Sequence, residues 1–237
     1  MSIISVKDLT KIYGAGHTAV KAVDKVSLEV GPGDIVLIMG PSGSGKTTLI
    51  SMIGTLLRPT EGSILINDQA LAKFSSSQLA DFRLNTLGFV FQSFNLLAAL
   101  TAEQNVMLPA MARGATRAEA KKRARTLLHR LGLQHRLNNL PRDLSGGEKQ
   151  RVAIGRALVN EPKMILADEP TANLDSKSGK EVSEMLCGTA CEDGRAVIIV
   201  SHDARLRDVA KRVITIQDGK LVHEEAGSHN KFCRMKH

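Results

Sequence analysis

One apolar run and the loop after it narrow the folds open to this chain more than anything else in it. Ile35 to Met39 is continuous and partly β-branched, the pattern of a strand buried on both faces. It leads straight into Gly40-Pro41-Ser42-Gly43-Ser44-Gly45-Lys46-Thr47, and a helical stretch begins at about Thr47. The loop fits GxxxxGK[ST], and a strand before it with a helix after it is the context that pattern requires. Glycines let backbone N–H groups curl around the β- and γ-phosphates of a nucleotide, and the helix N-terminus adds a favourable dipole. Lys46 is placed to reach the terminal phosphates, and the Thr47 hydroxyl to ligate Mg²⁺. The bland alternative, a Gly/Ser-rich turn with a chance lysine, does not explain the flanking elements.

The other half of such a site lies far downstream. Met164-Ile165-Leu166-Ala167-Asp168-Glu169 is an apolar strand ending in two acids. Paired with a phosphate loop, an Asp at a strand end holds Mg²⁺. A carboxylate directly after it can orient or deprotonate the attacking water. Alone, two acids after an apolar run would mark no more than a strand boundary.

The rest of the chain sets bounds. Its 237 residues suffice for one sizeable α/β domain, or a core with a smaller subdomain. Lys and Arg outnumber Asp and Glu by 32 to 24, which suits an anionic partner but mostly reports solubility. The apolar stretches are too short to span a bilayer, and Met1-Ser2-Ile3-Ile4 does not resemble a signal peptide, so a cytoplasmic address is expected. Cys187, Cys191 and Cys233 form no CxxC pair and read as reduced thiols.

Residues 3–8 and 26–30 alternate as strands do, and Ser63 to Asn67 is another short strand closed by Asn67-Asp68. From about Phe94 to Asn160 the patterns are mainly helical. Thr116-Arg117-Ala118-Glu119 is a capping box, followed by Ala120, Ala124, Leu127, Leu128 and Leu131 on one face. Strand-like runs return at Met164 to Ala167 and Val197 to Val200. A β-rich and α/β core interrupted by a helical insertion is therefore expected. The basic residues Arg117, Lys121, Lys122, Arg123, Arg125 and Arg130 read as a solvated helix face. The four-residue spacing of His229, Cys233 and His237, shared by Cys187 and Cys191, is too weak to propose a metal site.

Leu144-Ser145-Gly146-Gly147-Glu148 resembles the signature motif of ABC ATPases, and from about Val6 to Leu221 the chain is similar to that family. The resemblance implies an α/β fold: a P-loop NTPase core, an antiparallel β subdomain and an inserted α-helical subdomain. It frames residues 1–237 as one domain, with core about 1–92 and 161–225, helical insertion about 93–160 and a loose tail about 226–237. ATP would contact Tyr13, Gly40, Pro41, Ser42, Gly43, Ser44, Gly45, Lys46, Thr47 and Thr48. Tyr13 matches the adenine-stacking position, where a base on an aromatic face is worth about 1–3 kcal/mol. Gln92 matches the Q-loop glutamine and serves both Mg²⁺ and water. With Thr47 and Asp168 it makes the expected metal set, and with Glu169 and the switch histidine His202 the expected catalytic set. Asp168-Glu169-Pro170-Thr171-Ala172-Asn173-Leu174-Asp175 continues into what resembles the D-loop.

Ser145, Gly146 and Gly147 precede a helix, so their N–H groups suit an anion. In the family they meet the γ-phosphate held by the other subunit, and with Asp175 they complete the expected nucleotide contacts. ATP then joins two copies head to tail about a twofold axis. A separate membrane permease is the further partner implied, with the chain peripheral on the inner face of the membrane; no nucleic acid is expected. Leu87-Gly88-Phe89-Val90-Phe91-Gln92-Ser93-Phe94-Asn95-Leu96-Leu97 looks like the lipoprotein-release and macrolide-export branch. Residues 194–205 are similar to ATPases of the heterocyst-glycolipid exporter group within it. Two departures stand out: Ala172 where Gly is frequent, and Gly155 where Ala is usual, the latter costing a helix up to about 1 kcal/mol. A soluble ABC ATPase of DNA repair or translation is the rival reading. The former splits its site around long coiled coils and the latter carries two ATPase domains, and this chain fits neither.

Overall fold

The computed structural model describes residues 2–67 and 69–228. In chain order, strands β1 (Ile4–Tyr13) and β2 (Val20–Val30) pair antiparallel, and β3 (Ile35–Met39) runs into helix α1 (Lys46–Ile53). Strands β4 (Glu61–Ile66) and β5 (Gln69–Ala70), helix α2 (Ser76–Thr86) and strand β6 (Leu87–Val90) follow. Helices α3 (Ala102–Ala112), α4 (Arg117–Arg130) and α5 (Gly146–Leu158) come next. The chain then returns through β7 (Met164–Asp168), α6 (Ser176–Cys191), β8 (Ala196–Ser201), β9 (Arg212–Gln217) and β10 (Lys220–Ala226).

These strands make two sheets. One is antiparallel with order β2-β1-β4-β5; the other has order β10-β9-β3-β8-β7-β6, parallel except for the β9–β10 hairpin at its edge. Side chains on β3 alternate between two cores. Val36 and Ile38 join the core shared with the antiparallel sheet and α1, while Ile35 and Leu37 join the core under α5 and α6. A strand covered on both faces has no polar side, which is why its sequence is an unbroken apolar run. No helix among the described residues is long and apolar enough to cross a membrane.

The first strands are longer than their alternation suggests. Register shifts interrupt the β1–β2 ladder between Val6 and Leu9 and again between Leu9 and Lys11, and Asp8 and Lys25 have φ of 47° and 50°. Each bulge offsets the two-residue period, so the pattern stops where the strand does not. Helix α2 was not anticipated, although Ser75 and Gln78 form a reciprocal capping box at its start. β9 and β10 were also missed. Glu225 and Ala226 pair with Val213 and Arg212, so the tail expected to be loose begins inside a strand. His229, Cys233, His237 and Asp68 lie outside the described residues.

Between β6 and β7 the helices α3, α4 and α5 enclose a core of their own, including Val106, Ala124, Leu128 and Val152. The Thr116–Glu119 capping box is formed, and Ala120, Ala124 and Leu128 are fully buried. Gly155 sits where the three helices meet: a Cβ there would lie 3.2 Å from Leu131 Cδ1 and 3.3 Å from Val106 Cγ2. The glycine that weakens α5 as a helix thus lets its neighbours approach closely. The solvated-face reading of α4 needs one amendment, since Arg125 pairs with the nearly buried Glu103 of α3. Cys187 is buried, with its Sγ 3.8 Å from that of Cys191, and burial pushes its thiol pKa up. Cys191 packs beside it at the end of α6.

Candidate active site

The adjacency of β3, β8 and β7 creates the site. They are parallel, with Met39 opposite Ser201 and Asp168 opposite Val200, so the loops leaving their C-terminal ends open on one sheet edge. Ligands of open α/β sheets bind at such an edge.

The loop after β3 is held tightly. Gly45 adopts φ +100°, and a Cβ there would lie 2.1 Å from the Ala22 carbonyl oxygen of β2. No other residue type can combine that conformation with that approach. Gly219 N–H donates to Ser44 O at 3.1 Å, tying the loop to the β9–β10 hairpin. Lys46 is buried, and its Nζ donates to Gly40 O and Pro41 O at 2.9 Å each, so the ammonium curls back along the loop. Ser44 is also buried, yet its Oγ has no hydrogen-bond partner. An orphaned hydroxyl in the interior of a phosphate loop fits a ligand oxygen. Pro41, Ser42, Gly43 and Thr47 are exposed, and Thr48 is half-buried.

Two of the expected metal ligands are in contact: Thr47 Oγ1 donates to Asp168 Oδ1 at 3.2 Å. Burial raises the Asp168 carboxyl above the usual carboxylate range. The Thr47 hydrogen bond opposes that, Glu169 adds to it, and Lys46 opposes it more weakly. A carboxylate in this setting gains from a neighbouring cation, so Thr47, Asp168 and the orphaned Ser44 hydroxyl suit a Mg²⁺–nucleotide. Gln92 lies on the exposed loop after β6, and its main-chain oxygen accepts from Asn173 Nδ2 at 3.1 Å.

Glu169 is the most constrained of the acids. Its φ is +46°, its N–H donates to Val200 O at 2.9 Å, and its side chain is 12% exposed. Oε2 accepts from Ser201 Oγ at 2.7 Å, and Oε1 lies 2.9 Å from His202 Nδ1. The His202 side chain is 69% exposed, so the Nδ1 edge of the ring is fixed on Glu169 while the rest is open to a ligand. Thr171 Oγ1 donates to Asp203 Oδ2 at 2.8 Å, and the Arg205 guanidinium donates to both Asp203 oxygens at 2.8–3.0 Å. Arg205 first, with help from Thr171, holds the Asp203 carboxyl down at about 2. Sequence reasoning missed Ser201, Thr171, Asp203 and Arg205 as a set, since only the pairing of β7 with β8 brings them together.

The signature residues stand apart from this cluster. Ser145 is exposed and caps α5, accepting from Glu148 N at 3.2 Å while Glu148 Oε2 accepts from Ser145 N at 2.8 Å. That amide is the main reason the Glu148 carboxyl is lowered, and Arg136 Nε adds a hydrogen bond at 2.8 Å. A Cβ on Gly147 would lie 2.6 Å from Ser178 Oγ, and one on Gly146 3.2 Å from Asn173 O. The glycines let α5 start directly against the first turn of α6 and the segment before it. Among the described contacts none joins residues 145–147 to the phosphate loop of the same chain. Asp175 has a task in its own chain: Oδ1 accepts from the N–H groups of Lys177 and Ser178 at 3.0 Å each, capping α6. Tyr13, at the end of β1, is 45% exposed with Lys11 Nζ 5.4 Å from its ring centroid.

A sequence model described as "ABC transporter" matches residues 23–172, most of the site. The chain belongs to the ABC transporter family. It is 44% identical over 221 residues to the lipoprotein-releasing system ATP-binding protein LolD of Geobacter metallireducens, covering 93% of this chain and 98% of that protein. It is 45% identical over 222 residues to the macrolide export ATP-binding/permease protein MacB of Hyphomonas neptunium, covering 94% of this chain. There it spans only 34% of the relative's length. Among solved structures it resembles the dimeric post-hydrolysis state of the cassette MJ0796 bound to ADP and Pi, with TM-score 0.88, 40% identity, and 94% and 98% of the two chains covered. As an ABC ATPase the molecule thus has an α/β cassette fold with phosphate-loop, acidic and histidine elements on one sheet edge and the signature on another surface.

Proposed function

We propose that the chain is the ATP-hydrolysing subunit that powers a separate membrane permease, in the macrolide-export and lipoprotein-release branch, as a head-to-tail dimer of two cassettes. The observation that carries the reading is the clustering of Thr47 and Asp168 beside a Glu169 whose two oxygens are fixed by Ser201 and His202. Lys46 and the loop amides hold the phosphates, and Tyr13, half-exposed at a strand end, offers its ring to the base. Thr47, Asp168 and Gln92 hold Mg²⁺, which when bound neutralises charge on the transferring phosphoryl oxygens. Glu169 orients or deprotonates the attacking water, and His202 contacts the γ-phosphate.

Ser145, Gly146 and Gly147 complete the site of the other subunit. An exposed Ser145 at the N-terminus of α5 suits an anion arriving from outside the chain. We read residues 1–237 as one domain, with the helical insertion at about 93–160 as the part nearest the permease. Through that permease the chain sits at the cytoplasmic face of the membrane. LolD is named for a lipoprotein-releasing system and MacB for macrolide export, and we propose that the permease powered here is an exporter or a lipid or lipoprotein extruder.

Glu169→Gln tests this directly. It should keep nucleotide binding, stop turnover and trap an ATP-bound dimer visible by gel filtration, while Lys46→Ala prevents binding or hydrolysis. A photo-crosslink from ATP to Ser145 should form between chains; a crosslink within one monomer at high dilution would refute the head-to-tail arrangement.

A further inference from the structure

The segment that follows Gln92 makes an unusual demand on the backbone. Phe94 and Asn95 both adopt left-handed conformations, with φ of +60° and +48°. Such residues cost energy singly, asparagine less than phenylalanine, and two in succession need a structural reason to persist. The loop's own hydrogen bonds are short-range: Phe94 N–H donates to Phe91 O at 3.1 Å and Asn95 N–H to Ser93 O at 2.6 Å. No ladder runs through it.

What holds it comes from α5. The Arg156 guanidinium donates to Phe94 O at 2.7 Å through one NH₂ group and to Asn95 O through the other. Arg156 is half-buried, and among the described residues no carboxylate pairs with it. Its charge is therefore stabilised by carbonyl groups, and the two carbonyls that meet one planar fork belong to the two left-handed residues. A few residues on, Asn105 of α3, fully buried, accepts from Leu97 N at 2.8 Å and donates to Leu97 O, Leu100 O and Thr101 O at 3.2, 3.0 and 3.0 Å. Two helices of the insertion thus fasten the loop on its far side. On its near side it meets the β7–α6 connection through the Asn173 hydrogen bond to Gln92 O.

We infer that Arg156 is a positioning residue for Gln92: its guanidinium fork locks the left-handed Phe94–Asn95 turn and so fixes where the preceding glutamine stands relative to Asp168 and Glu169. Because Ser145 caps α5, the same helix joins the signature to the Gln92 loop, with no direct hydrogen bond between the two among the described residues. A change at the capped end of α5 is transmitted to Gln92 as a movement of the Arg156 fork. The inference rests on the reading of Gln92 as a metal- and water-sensing residue; the clamp itself is observed independently of that reading.

The experiment uses the full chain, with hydrogen exchange of residues 92–97 and steady-state ATP hydrolysis measured on the same variants. Arg156→Gln should speed exchange of the Phe94 and Asn95 amides at least tenfold and lower kcat about ten- to a hundredfold, the scale of a misplaced positioning group. Arg156→Lys keeps the charge but loses the fork and should fall between. Asn95→Gly lowers the cost of the left-handed turn, so in the Arg156→Gln background it should recover part of both losses. A merely structural arginine would give no such rescue. Accelerated exchange with unchanged kcat, while Gln92→Ala is itself impaired, overturns the positioning role. Unchanged exchange in 92–97 with a lowered melting temperature overturns the clamp. If Gln92→Ala hydrolyses ATP normally, it is the reading of Gln92 that fails, and the positioning role falls with it.

Discussion

Ser201 Oγ donates to Glu169 Oε2 at 2.7 Å, and that single hydrogen bond, with His202 on the other oxygen, fixes the carboxylate in the site. A base held by two donors from the neighbouring strand end presents its remaining lone pairs in one direction. Ser201→Ala should lower kcat about 10- to 100-fold with the Kd for ATP within about twofold of the parent. Stopped-flow binding and steady-state hydrolysis would separate the two, and a change confined to Kd would remove Ser201 from the mechanism.

Asp168 carries a conflict between stability and function. Burial disfavours its charged form, so at neutral pH the nucleotide-free chain is less stable than one with a neutral side chain there. Because the folded pKa lies above the unfolded one, the favourable contribution exists at low pH and is lost as pH rises through the folded value. Asp168→Asn should therefore raise the melting temperature of the free chain at pH 7, by about 2–4 °C for each kcal/mol gained, while abolishing Mg²⁺-dependent turnover. A lowered melting temperature would contradict the assignment of burial as the dominant cause.

Asp203 behaves in the opposite sense. Arg205 and Thr171 hold its carboxyl at about 2, below the unfolded value, so its contribution is present above the unfolded pKa and is lost as pH falls through about 2. With Arg205 half-exposed, solvent screening limits the contribution to about 1–2 kcal/mol. Asp203→Asn should cost that amount in urea unfolding at pH 7, and the difference from the parent should shrink steadily below pH 4. A constant difference down to pH 2 would mean that the hydrogen bonds, and not the charge, account for it.

Phe94 is half-buried and belongs to none of the three hydrophobic cores, whereas Leu96 packs on the helical core and Leu97 is 49% exposed. That arrangement suits a surface handed to a permease. Phe94→Ala should bring the ratio of permease-stimulated to basal hydrolysis close to one, and the melting temperature should change by less than about 4 °C. A core phenylalanine would cost about 3–5 kcal/mol instead, and such a loss with stimulation intact would end the coupling reading.

How much of this could be read from the sequence depended on whether the determinant is local. The phosphate loop, the two acids after Met164–Ala167 and the signature cap are contiguous, and each is specified by backbone needs of a few successive residues: glycine where φ is positive, an unbroken apolar run where a strand is covered twice, a Ser–Glu pair at a helix start. Where local pattern was disturbed, reading failed. The bulges at Asp8 and Lys25 hid the second half of β1 and the first half of β2. Only the strand order β3-β8-β7 decided that Thr47 meets Asp168, that Ser201 and His202 close on Glu169, and that Thr171 reaches Asp203. Only helix packing put Gly155 where no side chain fits easily and Arg156 on two carbonyls. Hydrogen bonds between residues far apart in the chain have no sequence period, because their geometry is set by which elements pack together.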